Sequence, residues 1–404
     1  MSVDAARALL CVPDLDAFAQ GKELVCTLGD PRVFEALLED ENFPWLGGGS
    51  QGRAAFARAV LVSAGAAISD ALAAMASAYT ELVIKEDELD LVVDFSELTA
   101  LTNLSRVRIQ TASVANLEAT RAMRLTSVVF VLKRPVNLNA FADSALAEVN
   151  IEAPEVESIQ FLASCPLQSL SVVAYAQPTI DLRFLEGSET LQELFFSRAT
   201  LPDLLPALRS LSGETNRWRG FPRMPELESM SLLRVMGLRN LDGLTERAPA
   251  LRRLTLRNCP ELESLDGAAD HPSLKEILLR AAPAFVRIGR LPEGVRMPHV
   301  ELQSSGLRNL QGIEHCGPDV AAPASLETLD GIERHAIRLL DLRGCHSLRD
   351  VSALTGSTSV RAILVHNSSL DPSAFPADVQ WAVSTEQFPN TQALVGRLPP
   401  SALE

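Results

Sequence analysis

Residues 251–259 read Leu251-Arg252-Arg253-Leu254-Thr255-Leu256-Arg257-Asn258-Cys259, and this stretch decides the fold. Its pattern is L-x-x-L-x-L-x-x-C, with leucines at the first, fourth and sixth positions. Side chains alternate between the two faces of a strand, so the fourth and sixth positions face a core, while the third, fifth and seventh face away from it. Cys259 stands where the chain leaves the strand, a place that suits a small residue able to bond to the backbone.

The same frame recurs about thirteen times along the chain. Its first position falls at Leu104, Leu125, Leu146, Leu167, Leu191, Leu208, Leu227, Leu251, Leu274, Met297, Gly317, Ile337 and Val360. The spacings run from 17 to 24 residues, which leaves no room for a long helix between strands. A second motif, L-x-x-L-x-G-L, begins at Leu238 and recurs in related form at Leu262, Leu307, Leu326 and Leu348. Two motifs in phase at such a period are the signature of a leucine-rich repeat, in which each unit adds one parallel strand to a solenoid.

The pairing of these two motifs resembles the short leucine-rich repeats of internalin-type bacterial proteins. The resemblance covers roughly residues 89–384. It implies a fold built from a curved parallel sheet and a protein-recognition surface on the concave face of that sheet.

We therefore predict a fold of the α/β class, a leucine-rich-repeat solenoid with 3-10 turns and irregular segments on its convex side. Residues 1–85 lack the frame and show helical spacing, and Asp30-Pro31 is typical of a helix start. We predict that they form a helical domain that caps the first repeat, that the repeats span 86–384, and that 385–404 form a cap or tail. The strand Leu89–Val93 is predicted to start the sheet.

Composition and charge exclude several classes of function. The formal net charge of −15 disfavours nucleic acid and anionic membrane surfaces, both of which attract cationic proteins. The six cysteines have no framework spacing, and the N-terminus has no cationic start before an apolar run. We predict reduced thiols and a cytoplasmic location.

The search for catalytic or metal chemistry yields only weak candidates. Gly48-Gly49-Ser50-Gln51-Gly52 matches G-x-S-x-G, but no buried strand precedes it and the first histidine is His271, so we favour a loop over a hydrolase elbow. His315, His335 and Cys316 could seat a soft divalent metal, yet no third or fourth convergent ligand is visible, and turn histidines are the favoured interpretation. Cys11 and Cys26 are predicted to be core residues. We predict no enzymatic activity, no cofactor and no metal.

The candidate binding site lies on the concave face, at the third, fifth, seventh and eighth positions of the middle repeats. Its predicted residues are Phe195, Arg198, Leu233, Arg234, Arg253, Arg257, Leu278 and Arg280. Arginine beside exposed apolar anchors is common at binding hot spots, so we expect a protein partner with an acidic patch. The alternative is that Glu193 and Glu276 neutralise the set and the arginines are ordinary solvated surface.

Two functional hypotheses remain open on the sequence alone. The first is a regulator or inhibitor that grips a partner protein on the concave face. The second is a structural or adaptor subunit that assembles through the N-terminal helical domain.

Overall fold

The computed structural model describes residues 3–11, 14–39, 51–86, 90–142, 144–157, 159–215, 218, 220–287, 292, 295, 300–301, 306–311, 319–322, 324–334, 337–343, 345–366, 370, 375–377 and 379–384. The chain divides into two compact units, Met1–Thr200 and Leu201–Glu404. Each is taken in turn.

The first unit begins with five helices. They are α1 Val3–Cys11, α2 Leu15–Leu28, α3 Pro31–Leu38, α4 Gln51–Gly65 and α5 Asp70–Ala78. Side-chain oxygens of Asp14, Asp30 and Ser69 accept hydrogen bonds from backbone N–H groups in the first turns of α2, α3 and α5, which satisfies donors that have no partner inside a helix. The predicted start at Asp30-Pro31 is confirmed.

Parallel strands follow the helices in the first unit. Their bounds are β1 Glu81–Lys85, β2 Val92–Asp94, β3 Arg106–Thr111, β4 Ser113–Ala115, β5 Ser127–Leu132, β6 Val136–Asn137, β7 Glu148–Ala153, β8 Val156–Glu157, β9 Ser169–Ala174, β10 Ile180–Asp181, β11 Glu193–Ser197 and β12 Ala199–Thr200. Within the described residues, β1, β3, β5, β7, β9 and β11 form the main sheet in that order, and every pairing is parallel.

The start of the main sheet differs from its predicted place. β1 is its first strand and pairs with β3, although its residues fall inside the segment predicted to be helical. Val92–Asp94 instead pairs with β4 in a separate two-stranded sheet. The prediction that Leu89–Val93 starts the sheet is therefore wrong, because Leu82 and Ile84 supply the same alternating burial before the recognisable frame begins.

The helices lie directly against the first strand and first repeat. A side chain at Gly52, at the start of α4, would overlap the Lys85 backbone, so the helix approaches β1 as closely as glycine allows. Lys22 Nζ lies 2.7 Å from Glu97 Oε2 and 4.8 Å from the centre of the Phe56 ring. These contacts fit the predicted capping role, which stays a prediction together with the boundaries at 85 and 384.

The second unit continues the same architecture. Its elements are β13 Ser210–Glu214, β14 Ser229–Leu233, α6 Leu244–Arg247, β15 Arg253–Arg257, β16 Glu276–Arg280, β17 Val300–Glu301, β18 Asp319–Ala321, β19 Leu339–Asp341, β20 Ala362–His366 and β21 Gln380–Ser384. The strands pair in parallel in chain order. Strand β13 pairs with β14 along its full length, and β21 is the last described strand of the sheet.

Short 3-10 turns and short sheets connect the main strands, as the repeat length predicts. The turns are Phe95–Leu98, Leu117–Ala122, Asn139–Phe141, Gln160–Ser164, Arg183–Leu185, Ile332–Arg334 and Ser352–Gly356. Many of these connecting segments open with a side chain that caps the backbone two residues later. Asn240 Oδ1, for example, accepts from the Asp242 N–H at 3.1 Å, and Asp350 Oδ1 accepts from the Ser352 N–H at 2.8 Å.

The core of each repeat is made by the first, fourth and sixth positions of the frame. Leu251, Leu254 and Leu256 are each at most 1% exposed, and Cys259 is fully buried. The Cys259 thiol donates to the Arg257 carbonyl at 3.7 Å, which confirms the predicted backbone bond at the strand exit. The topology and this phase establish an α/β leucine-rich-repeat fold. Among the described helices, none is both long and apolar enough to cross a bilayer.

Candidate protein-binding face

The third, fifth and seventh positions of each frame form the exposed face of the main sheet. On β15, Arg253 and Arg257 are exposed and Thr255 is half-buried, while Leu254 and Leu256 between them are buried. Residues in the same position are register partners on neighbouring strands, so the frame of the sequence is also the frame of the sheet. The exposed face is therefore a grid whose rows can be read from the sequence.

Five of the predicted site residues lie on this grid in the second unit. Leu233, Arg257 and Arg280 are aligned in the seventh-position row, and Ser231, Thr255 and Leu278 in the fifth-position row. Leu233 is 37% exposed, whereas Leu278 and Arg280 are half-buried. Neighbouring strands lie about 4.8 Å apart, so the row brings an apolar side chain and two arginines together.

Arg257 and Arg280 are direct register partners. Like charges opposite one another on adjacent strands repel, which destabilises the pair unless a negative group approaches them. In the next strand the backbone partner of Arg280 is Glu301. In the seventh-position row, Arg257 and Arg280 are thus flanked by Leu233 on one side and Glu301 on the other.

The arginines of this face differ in their partners. Arg234 Nη1 lies 3.8 Å from Glu214 Oε2, and both belong to the second unit. Arg253 is the register partner of Glu276, yet in the described part of the chain neither Arg253 nor Arg257 forms an ion pair. Their guanidinium groups are thus exposed to solvent and available to a ligand.

Phe195 and Arg198 lie in the first unit, apart from the other six predicted residues. Phe195 is 45% exposed at the fifth position of β11. Arg198 is half-buried, and its Nη2 donates to the Ala174 and Tyr175 carbonyls at 3.1 and 2.7 Å. Arg198 therefore ties two repeats together, a structural role that sequence reasoning did not anticipate. Glu193, one of the two acids expected to neutralise the arginines, also belongs to this unit.

The eighth position of the frame has a distinctive backbone. Arg198, Arg234, Asn258 and Ala281 have φ values of 51° to 54°, in the left-handed region. This region is uncommon for residues with a side chain. The N–H groups of Arg234 and Asn258 donate to the seventh-position carbonyls of the next strand, at 2.8 and 2.9 Å. These bonds hold the turn that ends each strand, so the backbone of the eighth position has a structural role.

The exposed face does not continue to β19 and β20. Ala362 and Leu364, at the third and fifth positions of β20, are fully buried, and Leu339 and Asp341 on β19 are at most 8% exposed. Asp341 is paired with Arg343, whose Nη2 lies 2.6 Å from Asp341 Oδ2. A strand buried on both faces offers no surface to a partner. Strands β19 and β20 therefore interrupt the accessible part of the grid in this unit.

The residues predicted as candidates for catalysis or metal binding lie outside the described part of the chain, whereas the buried Cys259 and Cys345 lie within it. Ser50, His315, Cys316 and His335 lie outside the described residues, and in the described part of the chain no group of three or more potential ligands could hold a metal. Burial raises the pKa of Cys259 to about 11 and that of Cys345 to about 12, which keeps both thiols protonated and poorly nucleophilic.

The two N-terminal cysteines have different outcomes. Cys26 is exposed, so the prediction that it belongs to the core is wrong, because Val25 takes the buried position beside it on α2. The side chain of Cys11 lies outside the described residues. The free cysteines of the described chain are Cys26, Cys165, Cys259 and Cys345.

His271 is a structural residue that sequence reasoning missed. It is 2% exposed, and its Nε2 lies 3.0 Å from the Ala248 carbonyl. Its Nδ1 accepts from the Ser273 and Leu274 N–H groups at 3.3 and 3.1 Å. A neutral ring with the proton on Nε2 satisfies all three contacts, and burial lowers the pKa of His271 below its ordinary value. The signal available in the sequence was its place beside the turn Asp270-His271-Pro272.

No protein-family model matches the sequence, and no curated protein matches it. Among solved structures, the chain is similar to an internalin, inlF, from Listeria monocytogenes. The two share 12% sequence identity with a TM-score of 0.44, over 82% of this chain and 94% of that chain.

Proposed function

We propose that this chain is a non-catalytic protein-recognition module. Its exposed sheet face, the face that the sequence predicts to be concave, binds a partner protein that presents an acidic patch. The chain acts as a regulator or inhibitor of that partner in a bacterial cytoplasm. Leucine-rich-repeat folds generally mediate protein–protein interaction.

One observation carries the proposal. Arg253 and Arg257 are exposed, form no ion pair in the described part of the chain, and lie beside the exposed Leu233 and the half-buried Leu278. An exposed guanidinium beside an apolar side chain can form bidentate bonds to a carboxylate while its neighbour loses contact with water. Association with an acidic partner would weaken as salt rises, because screening shortens the range of these charges.

The packing of the N-terminal helices gives less support to the adaptor alternative. The helices that would serve assembly pack on β1 and on the first repeat, where Lys22 and Glu97 form a largely shielded ion pair. Surface used to cover the repeats is not available for another subunit.

The test is a pull-down from native lysate followed by affinity measurement of charge-reversed variants. Arg257→Glu/Arg280→Glu should weaken binding at least tenfold. Arg239→Glu/Arg247→Glu is the matched control, since it reverses two exposed arginines of the same region in the connecting segments instead of the sheet face. Equal affinity of the two double variants would contradict the proposal.

A further inference from the structure

Strands β7 and β15 carry opposite charges at the same positions of the exposed sheet face, although β3 of the first unit also carries Arg106 and Arg108 and β16 of the second carries Glu276. In the first unit, the third, fifth and seventh positions of β5, β7, β9 and β11 include three charged residues, and all are acidic: Glu148, Glu152 and Glu193. All three are exposed. In the second unit, the corresponding positions of β15 carry Arg253 and Arg257. The same chain thus presents both halves of a complementary pair.

The acidic residues of β7 are more exposed than the side chains at the same positions of the two neighbouring strands. Glu148, Asn150 and Glu152 are exposed along β7, whereas both neighbouring strands carry only serine and valine at these positions. Their register partners are Ser127, Val129 and Val131 on β5 and Ser169, Ser171 and Val173 on β9. The side chains on either side are buried or half-buried, so only β7 presents exposed side chains among these three strands, and we call Glu148 and Glu152 the acidic ridge.

The basic residues of β15 have a comparable spacing in a more mixed setting, because the neighbouring strand β16 carries Glu276 beside Arg253 and Arg280 beside Arg257. Arg253 and Arg257 occupy the third and seventh positions, as Glu148 and Glu152 do on β7. Four residues of strand span about 13 Å, so the two guanidinium groups and the two carboxylates have the same spacing. On one side of the arginines, β14 carries Ser229 and Ser231. Exposed apolar groups accompany both faces, Leu233 here and Phe195 in the first unit.

We propose that the acidic ridge of β7 in one copy of this chain docks on the arginine strand β15 of a second copy. The inference rests on the proposed function, because it names the acidic partner of that face as another copy. Each docked pair brings two carboxylates onto two guanidinium groups at matched spacing. Charge-assisted bonds of this kind are stronger than neutral ones and fix the register of two surfaces.

The net charge of −15 opposes this contact at long range. At physiological ionic strength the repulsion is screened over about 8 Å, whereas the matched groups meet at bonding distance. Self-association should therefore be present near physiological salt and disappear at high salt, where the local pairs are screened as well.

Sedimentation velocity over a concentration series tests the proposal on the full-length chain. The wild type should show a sedimentation coefficient that rises with concentration. Glu148→Arg/Glu152→Arg and Arg253→Glu/Arg257→Glu should each abolish the rise. A mixture of the two variants should restore association, because one now has two basic faces and the other two acidic faces.

A wild type that stays monomeric throughout, or single-face variants that associate as well as the wild type, would overturn the proposal. Loss in both variants without rescue in the mixture would overturn it too. Circular dichroism melting checks that each variant folds. A charge-reversed variant that does not fold is replaced by the neutral variant Glu148→Gln/Glu152→Gln or Arg253→Gln/Arg257→Gln. Should the wild type be monomeric while Arg257→Glu/Arg280→Glu still loses a captured protein, this inference fails and the proposed function stands.

Discussion

At the scale of single residues, glycine shows where one repeat touches the next. Gly243 and Gly267 occupy equivalent places in consecutive repeats, and both have positive φ, 80° and 95°. A Cβ at Gly267 would overlap the backbone of Leu241 and Asp242, whereas one at Gly243 would come no closer than 3.9 Å to the Arg247 side chain. The two glycines therefore share a backbone conformation, but only Gly267 is packed closely against the neighbouring repeat.

Gly267→Ala should lower the free energy of unfolding more than Gly243→Ala does. Both substitutions carry a backbone strain of about 1 kcal/mol, but only the first also forces two repeats apart. Urea denaturation of the two variants measures the difference. Equal losses would show that the close approach of the repeats at Gly267 is not a constraint on stability.

His271 should make the stability depend on pH. Burial lowers its folded-state pKa below the value of about 6.5 for the unfolded chain, so the unfolded state takes up the proton first as the pH falls. The contribution of the neutral ring is complete above pH ~6.5 and is lost as the pH drops below it, through the folded-state pKa. Melting temperatures of His271→Gln should fall less steeply than those of the wild type between neutral and mildly acidic pH.

The exposed His346 gives a matched control for this effect. His346→Gln should keep the pH dependence of the wild type. A His271→Gln variant whose melting temperature follows pH as steeply as that of the wild type would show that the buried ring does not stay neutral in the folded protein.

At the scale of the strand, the phase of the repeat decides which side chains are buried. Leu254 is 1% exposed, and its register partners are Met230 and Ile277, whereas the adjacent Thr255 is half-buried on the other face. Leu254→Asp should cost more than about 3 kcal/mol of stability, because it buries a carboxylate without a partner. Thr255→Asp should cost far less. Circular dichroism melting compares the two, and similar midpoints would reverse the assigned faces.

The strands were predictable because their leucines recur in a fixed phase. Each frame from Leu104 to Leu274 begins two residues before an observed strand. β1 was missed because Leu82 and Ile84 alternate without the rest of the frame, and an alanine-rich helix precedes them. The capping residues Asn240, Ser264, Asn309, Thr328 and Asp350 were visible as one polar place in the second motif, although leucine spacing alone did not draw attention to them.

The candidate site was predictable only in part. Alternation correctly places Arg253, Arg257 and Leu233 on the exposed face. It cannot reveal that Arg198 bonds to backbone carbonyls or that Arg234 approaches Glu214, since both contacts depend on how far a side chain reaches across a strand boundary. Nor does the frame show that β20 is buried on both faces.

At the scale of the whole molecule, the core, the helices and the exposed sheet face have different roles. The core positions hold the repeats together, and the helices pack on the first strand. We propose that the exposed sheet face serves recognition. Within that face β7 carries two exposed acids and β15 carries two exposed arginines. Function would then depend on a few exposed side chains, and most core substitutions would act through stability alone.

The most direct test is photo-crosslinking from the sheet face in native lysate. A benzoylphenylalanine placed at Thr255 lies between Arg253 and Arg257, and one placed at Glu246 lies on the connecting turn α6 of the same repeat. The account predicts a discrete protein adduct from position 255, weakening as ionic strength rises, and none from position 246. Adducts from position 246 alone, or equal adducts from both, would contradict recognition through the exposed sheet face.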